Sequence, residues 1–249
     1  MDNARSFGAH AGAYKAGRPT YPDALFDWLA QMSPAREAVW DCATGSGQAA
    51  LALAERFDRV FATDIDAAQL EQAEPHPRIA YRVAPAEASG LFENGADLIT
   101  AATALHWFAG KPFWEEVRRV GRPGSVFAGW VYSDIIVPAA IEDALVAPLR
   151  GMIDPYWADG NRIAMAGYTA AALEFPFAEL TAPPFAVEVS WNAERLIAYL
   201  RTWSAHTRAM KEPSLASRLI AVEEAALDQF GGEPFEIRMP LSLIGGRVG

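Results

Sequence analysis

The turn Ala43-Thr44-Gly45-Ser46-Gly47 constrains this chain more than any other stretch. It stands between a short apolar run closed by an acid, Ala38 to Asp41, and an Ala- and Leu-rich segment, Gln48 to Phe57, that suits a helix. Before it, Leu25, Trp28, Leu29 and Met32 fall at i, i+3, i+4 and i+7, a helix with Pro22 in its first turn and Ser33-Pro34 at its end. After it, Val60 to Thr63 is a strand closed by Asp64. Asp66 and Gln69 read as a helix cap with a reciprocal partner, in a helix stopped by Pro75. Ile79 to Val83 and Asp97 to Ala102 are further strands, with the Asn94-Gly95 turn between them. Pro112 opens a helix through Val120, Gly121 stops it, and Arg122-Pro123-Gly124 turns into a fifth strand, Val126 to Tyr132. This alternation predicts an α/β fold, a doubly wound parallel sheet with helices on both faces.

After Ser133 the alternation breaks. Ile141 to Met152, Ala164 to Leu173, Asn192 to about Met210 and Ser214 to Phe230 look helical, and Val187 to Val189 and Ile237 to Ile244 look like strands. No Ser/Gly linker divides the chain. The expectation is one domain over 1–249: a core over 1–132, a mostly helical cap with one late strand over 133–236, and a final strand over 237–249. At 249 residues the length suits one sheet plus such an elaboration better than two full domains.

Charge narrows the partners. The net charge is −10, and it divides evenly: 12 basic and 17 acidic residues up to Val137, 9 and 14 after it. With no basic half or tail, counter-ion-driven binding to nucleic acid or anionic lipid is disfavoured, and a small molecule is the expected ligand. The single cysteine, Cys42, excludes an internal disulfide framework, and the histidines show no metal-ligand spacing, so no metal is expected. The first residues lack an apolar core of signal-peptide length, and the longest uncharged stretches are 13 residues, short of the roughly 20 that span a bilayer. A soluble cytoplasmic monomer or homodimer is expected.

The glycine turn is where a ligand can approach bare backbone beside a helix N-terminus, at the carboxyl end of the central strand. Asp64 ends the next strand, where a carboxylate can accept both hydroxyls of a ribose. Singly, each feature also fits a tight turn or a helix cap; together, in order and at strand ends, they favour a nucleoside-bearing ligand. Gly45-Ser46-Gly47-Gln48-Ala49-Ala50 satisfies G-x-G-x-x-A, so an NAD(P)-dependent oxidoreductase is one alternative. Against it, Asp41-Cys42-Ala43-Thr44 separates the apolar strand from the first glycine, and His106-Trp107-Phe108 has no evident role beside a nicotinamide.

These residues carry a family resemblance. Val39-Trp40-Asp41-Cys42-Ala43-Thr44-Gly45-Ser46-Gly47-Gln48 resembles motif I of class I S-adenosylmethionine-dependent methyltransferases, and Phe61-Ala62-Thr63-Asp64-Ile65-Asp66 resembles their second motif. Asp97-Leu98-Ile99 with Ala104-Leu105-His106-Trp107-Phe108 is similar to their fourth-strand segment, and Arg118 to Ser125 to the entry into their fifth. Phe7, Tyr14, Arg18, Pro19, Tyr21 and Pro22 match the opening of the small-molecule, type 11 or trans-aconitate methyltransferase-like subgroup. The resemblance implies a Rossmann-like sheet with a helical insertion before its last strands, and S-adenosyl-L-methionine as cofactor. Two departures stand out. Ala43 replaces a usual glycine, tolerable if the local φ is negative, and Pro85 replaces an aspartate that contacts adenine in many relatives.

The resemblance implies roles. Gly45, Ser46 and Gly47 approach the methionine part, Asp64 holds the ribose and Ile65 packs on the adenine. Ala86 and Glu87 border the adenine, and Ala102 and Thr103 flank the cofactor at the end of the fourth strand. Arg18 with Tyr14 neutralises the cofactor carboxylate. Asp41 either ties the loop amides or meets the cofactor amine. His106 is the candidate base where an acceptor must lose a proton, or else a hydrogen-bonded wall residue. Trp107, Tyr156, Trp157, Trp203 and His206 are candidates for the acceptor pocket, and core packing explains such aromatics equally well. A small organic acid or phenol suits that lining. A non-catalytic cofactor-binding protein of the same fold is a further alternative.

Overall fold

The computed structural model describes residues 19–249. Five parallel strands form its centre: β1 (Ala38–Cys42), β2 (Arg59–Asp64), β3 (Ile79–Val83), β4 (Ala96–Ala102) and β5 (Gly121–Tyr132). Three later strands extend the sheet: β6 (Ala178–Glu179), β7 (Ala186–Trp191) and β8 (Phe235–Arg247), with β8 antiparallel to each of β5, β6 and β7. The order is β3-β2-β1-β4-β5-β8-β6, with β7 on β8. Strand order reverses at β1, so the connections after β1 and β4 leave in opposite directions and open a crevice at their carboxyl ends.

All five residues of β1 are buried, as a strand covered on both faces requires. Successive side chains point to opposite faces. Val39 packs with Leu25, Phe26 and Leu29 of α1 (Asp23–Met32) and with Ala49, Ala50 and Leu53 of α2 (Gln48–Ala54). Trp40 packs on the other face with Phe113, Trp114 and Val117 of α4 (Lys111–Val120). Between them, α3 (Ala67–Leu70) is a single turn. The helix expected to reach Phe57 therefore stops at Ala54, and the one expected to run to Pro75 stops at Leu70.

The reciprocal cap expected at Asp66 and Gln69 is only half made. The Asp66 side chain accepts from the Ala68 N–H at 3.0 Å, but its own N–H donates to Asp64 Oδ1 at 2.9 Å. A carboxylate is the stronger acceptor, so Asp64 displaces the Gln69 amide. Gln69 keeps only 5% of its surface exposed, and its buried Oε1 has no hydrogen-bond partner.

Beyond β5, α5 (Ala139–Ile141) and α6 (Ala147–Ile153) flank a π-turn, Glu142–Val146. They pack with α8 (Ala193–Arg201), α9 (Ser204–Ala209) and α10 (Pro213–Phe230) around Leu145, Leu149, Leu196, Leu200 and Leu219. Asn192 caps α8 by accepting from the Arg195 N–H at 2.9 Å. The single helix expected from there to Met210 is broken at Trp203, which takes an extended backbone and starts α9 anew. The helix expected over 164–173 is α7 (Asp159–Ala166), earlier in the chain and ended by Gly167 at φ +84°. Residues 133–236 hold two strands, β6 and β7, where one was expected.

Candidate active site

The chain leaves β1 through three residues in the left-handed region, Ala43 (φ +52°), Gly45 (φ +58°) and Gly47 (φ +83°). Gly47 has a second reason to lack a side chain, since a Cβ there would lie 2.5 Å from the Tyr81 hydroxyl. Ala43 does not meet the condition of a negative φ; its methyl costs about 1–2 kcal/mol in this conformation. Across the crevice Thr103, just after β4, is also left-handed at φ +55°, an outlier for a β-branched residue. Its N–H donates to the Trp130 carbonyl at 2.7 Å, and its hydroxyl pairs with the Tyr21 hydroxyl at 2.8 Å. Strain of this kind persists where surrounding bonds over-determine it.

Two carboxylates stand at the strand ends. Asp41 is fully buried and accepts from the hydroxyls of Thr44 and Thr100. Burial, only partly offset by those two hydroxyls, pushes its pKa up to about 6. Asp64 accepts from the Gly45 N–H at 2.8 Å and from the Asp66 N–H at 2.9 Å. Burial outweighs these bonds and raises its pKa as well. Asp64 thus staples the glycine turn to β2.

A cavity of about 480 Å³ lies over these ends. Ala43, Thr44, Gly45, Ser46, Asp64, Ile65 and Gln69 line it on the β1–β2 side, and Ala102, Thr103, Ala104, His106 and Trp107 on the β4 side. Its roof comes from residues after β5: Asp134, Arg150, Trp157, Asn161, Tyr199, Trp203 and Ser204 among them. Trp157 and Trp203 rings lie 5.7 Å apart, and Tyr199 meets Trp203 edge-on at 6.0 Å. The buried Trp157 indole nitrogen has no hydrogen-bond partner. Arg150 pairs with Asp134 at 3.1 Å. His106 Nδ1 lies 2.8 Å from the Tyr168 hydroxyl, whose pKa burial pushes up, so that it keeps its proton.

Of the residues singled out from sequence, the cavity brings together Gly45, Ser46, Asp64, Ile65, Ala102, Thr103, His106, Trp107, Trp157 and Trp203. Asp41 lies beneath it, bonded to hydroxyls rather than to loop amides. Gly47 caps α2 behind the turn, and Ala86 and Glu87 are not in the lining. Two pocket assignments are corrected. His206 is turned into the helical layer, where its Nε2 pairs with the buried Glu223 at 3.0 Å, and Tyr156 faces Glu212 outside the cavity. Tyr14 and Arg18 lie outside the described residues. Gln69 and Asn161 also line the cavity; the spacing of Gln69 from Asp66 reads as a cap, and nothing local marks Asn161. Among the described residues, no helix is long and apolar enough to cross a membrane, and no group of three His, Cys, Asp or Glu is placed to hold a metal.

Comparison with known proteins adds a lineage to this geometry. A family model described as a methyltransferase domain matches residues 40–129. A candidate methyltransferase of Dictyostelium discoideum is 30% identical over 210 residues, covering 82% of this chain and 79% of that one. An uncharacterized methyltransferase of Mycobacterium tuberculosis is 36% identical over 124 residues, about half of each chain. Among solved structures, a candidate type II methyltransferase from Anaeromyxobacter dehalogenans superposes with a TM-score of 0.81 at 41% identity, covering 93% of this chain and 98% of that one.

Proposed function

The chain belongs to the class I S-adenosylmethionine-dependent methyltransferases, and on that footing we propose that it methylates an oxygen of a small organic acceptor, a carboxylate or a phenol, beneath the helical roof. The nicotinamide alternative falls with that membership. One observation carries the choice of acceptor: the buried indole N–H of Trp157, unpartnered in the aromatic wall of the cavity. An indole N–H only donates, so a ligand oxygen is its natural complement, and leaving it unmatched costs about 1–3 kcal/mol. The faces of Trp107, Trp157 and Trp203 suit a flat or partly apolar body beside that oxygen. The evenly spread negative charge argues against a nucleic-acid acceptor.

The residues present fit the cofactor. Gly45, Ser46 and Asp64 line the cavity, and the buried Oε1 of Gln69, another lining residue, lacks a partner. When bound, S-adenosylmethionine supplies a methyl group on a sulfonium, already activated for displacement. In this reading Asp64 receives the ribose hydroxyls, Ile65 packs on the adenine, and Ala102 and Thr103 flank the reacting end. Residues 133–236 act as the acceptor-binding cap of a single domain. The chain's task is then to place the acceptor oxygen about 3–3.5 Å from the methyl and to exclude water.

His106 borders the cavity on the β4 side, with Nδ1 2.8 Å from the Tyr168 hydroxyl. A carboxylate needs no base and a phenol favours one, so a carboxylate is the acceptor that asks least of this wall. A screen of carboxylic and phenolic metabolites for homocysteine-linked turnover tests the reading. Turnover is expected with carboxylates foremost; turnover confined to amines, or none with any oxygen acceptor, overturns it.

A further inference from the structure

Glu223, on α10, is a carboxylate buried in the helical roof with 1% of its surface exposed. Each of its oxygens serves a different helix. Oε2 accepts from Arg201 Nη2 at 2.6 Å and Nε at 3.1 Å, at the end of α8, and Oε1 lies 3.0 Å from His206 Nε2 in α9. These two partners bracket the break at Thr202 and Trp203, where the sequence predicts an unbroken helix. In a continuous helix, residues five apart stand about 140° apart around the axis, so Arg201 and His206 would not share a face. One carboxylate meets both because the chain turns between them. That turn is also what faces the cavity, since Tyr199, Thr202, Trp203 and Ser204 all line it. Buried ionic groups add little net stability over apolar side chains of the same size, and their best-attested use is to fix one arrangement of the elements that hold them.

We propose that Glu223 is the positioning residue of the acceptor wall: by gathering α8 and α9 on one carboxylate, it fixes the break that turns Trp203 into the cavity. This rests on the reading of that wall as the acceptor site. Trp203 stands 5.7 Å from Trp157 and 6.0 Å from Tyr199, ring to ring, so a shift of its indole moves the surface that an acceptor meets. Glu223 is not part of the cavity lining and therefore acts through Trp203 rather than on the acceptor. Its removal strands no buried charge. The Arg201 side chain is 55% exposed and reaches solvent, and an imidazole can stand neutral. What Glu223 supplies is the geometry of the break.

Steady-state kinetics on Glu223→Leu, Trp203→Ala and the double variant separate positioning from plain structure, with the carboxylate that turns over fastest in the screen above as acceptor. Glu223→Leu is expected to raise the acceptor KM about tenfold, with kcat within about threefold and S-adenosylhomocysteine affinity within about twofold of wild type. Trp203→Ala raises KM as well. Adding Glu223→Leu to it changes KM less than about twofold, because the ring that Glu223 places is gone. Glu223→Gln keeps the size of the side chain and an acceptor for Arg201; it gives a smaller rise in the same pattern and serves should the leucine variant fail to fold. An unchanged KM, a full rise on top of Trp203→Ala, or a parallel loss of S-adenosylhomocysteine affinity overturns the inference. One readout needs no acceptor: the indole N–H resonance of Trp203, assigned with Trp203→Phe, moves in Glu223→Leu while that of Trp40 in β1 stays in place. If no oxygen acceptor turns over, the acceptor reading fails on its own, and an unmoved Trp203 resonance overturns the role given to Glu223.

Discussion

The two sides of the cavity are built on different principles. On the sheet side, position is set by backbone: Ala43, Gly45 and Thr103 are held at positive φ, and Asp64 clamps the turn through the N–H groups of Gly45 and Asp66. On the roof side, position is set by side chains. Glu223 is buried and gathers Arg201 at 2.6 Å and His206 at 3.0 Å, tying α8, α9 and α10 together behind the cavity. Arg150 is paired with Asp134, and the surfaces left to the cavity are largely aromatic. A backbone-defined floor suits a ligand that never changes, the cofactor. A wall of packed aromatics can be re-cut by substitution without disturbing the sheet.

The largest effect expected from this contrast is a pH dependence seated in the floor. Asp41 has an ordinary value of 3.8 and is raised to about 6 in the fold. The folded state therefore holds its proton longer, and the stabilisation is full below 3.8 and lost as pH rises through 6. The span is about 3 kcal/mol at 1.36 kcal/mol per unit. Glu223 and Glu116 act in the opposite sense: despite burial, their hydrogen bonds to His206 and Arg201, and to Arg119 and Ser89, hold their pKa values below the usual 4.5. Their contribution is lost as pH falls through those lowered values. Urea unfolding of Asp41→Asn at pH 5 and pH 8 is expected to show the pH 5-to-8 decline reduced and the variant at least as stable as wild type at pH 8. A variant with the full decline would locate the titration elsewhere.

On the roof side, Trp157→Phe keeps the ring and removes the N–H. The expected outcome is about a tenfold higher KM for the acceptor, the loss of one hydrogen bond to a polar or charged oxygen, with S-adenosylhomocysteine affinity unchanged. Steady-state kinetics and calorimetry on the same preparation check both halves, and an unchanged KM would return Trp157 to plain packing. The smallest effect is back in the floor. Ala43→Gly relieves the left-handed strain but adds glycine's unfolded-state freedom, for a net gain of about 0.5–1 kcal/mol. A lower melting temperature would contradict the strain assigned to Ala43.

The same contrast governs what was legible in the sequence. The floor is written in contiguous residues: an apolar strand, a glycine turn and an acid closing the next strand. The five parallel strands, Gly45 and Asp64 were therefore readable in order. The roof is decided by tertiary packing. Nothing local distinguishes His206, buried against Glu223, from Trp203, which breaks a helix to reach the cavity, so the sequence points to both as pocket residues. Gln69 shows the failure inside the floor itself. Its spacing from Asp66 fits a capping box, and the competing bond from the Asp66 N–H to Asp64 leaves the Gln69 Oε1 without a partner. The positive φ of Ala43 is equally beyond local reading, because an alanine carries no signal for the left-handed region.

The central claim is that this floor is a nucleoside cradle hinged on Asp64. Calorimetric titration of S-adenosylhomocysteine into wild type and Asp64→Ala tests it most directly. Micromolar or tighter binding to wild type is expected, with a loss of about a hundredfold or more in the variant, because charge-assisted bonds to the ribose and the clamp on Gly45 disappear together. Equal affinity in the two proteins would contradict it.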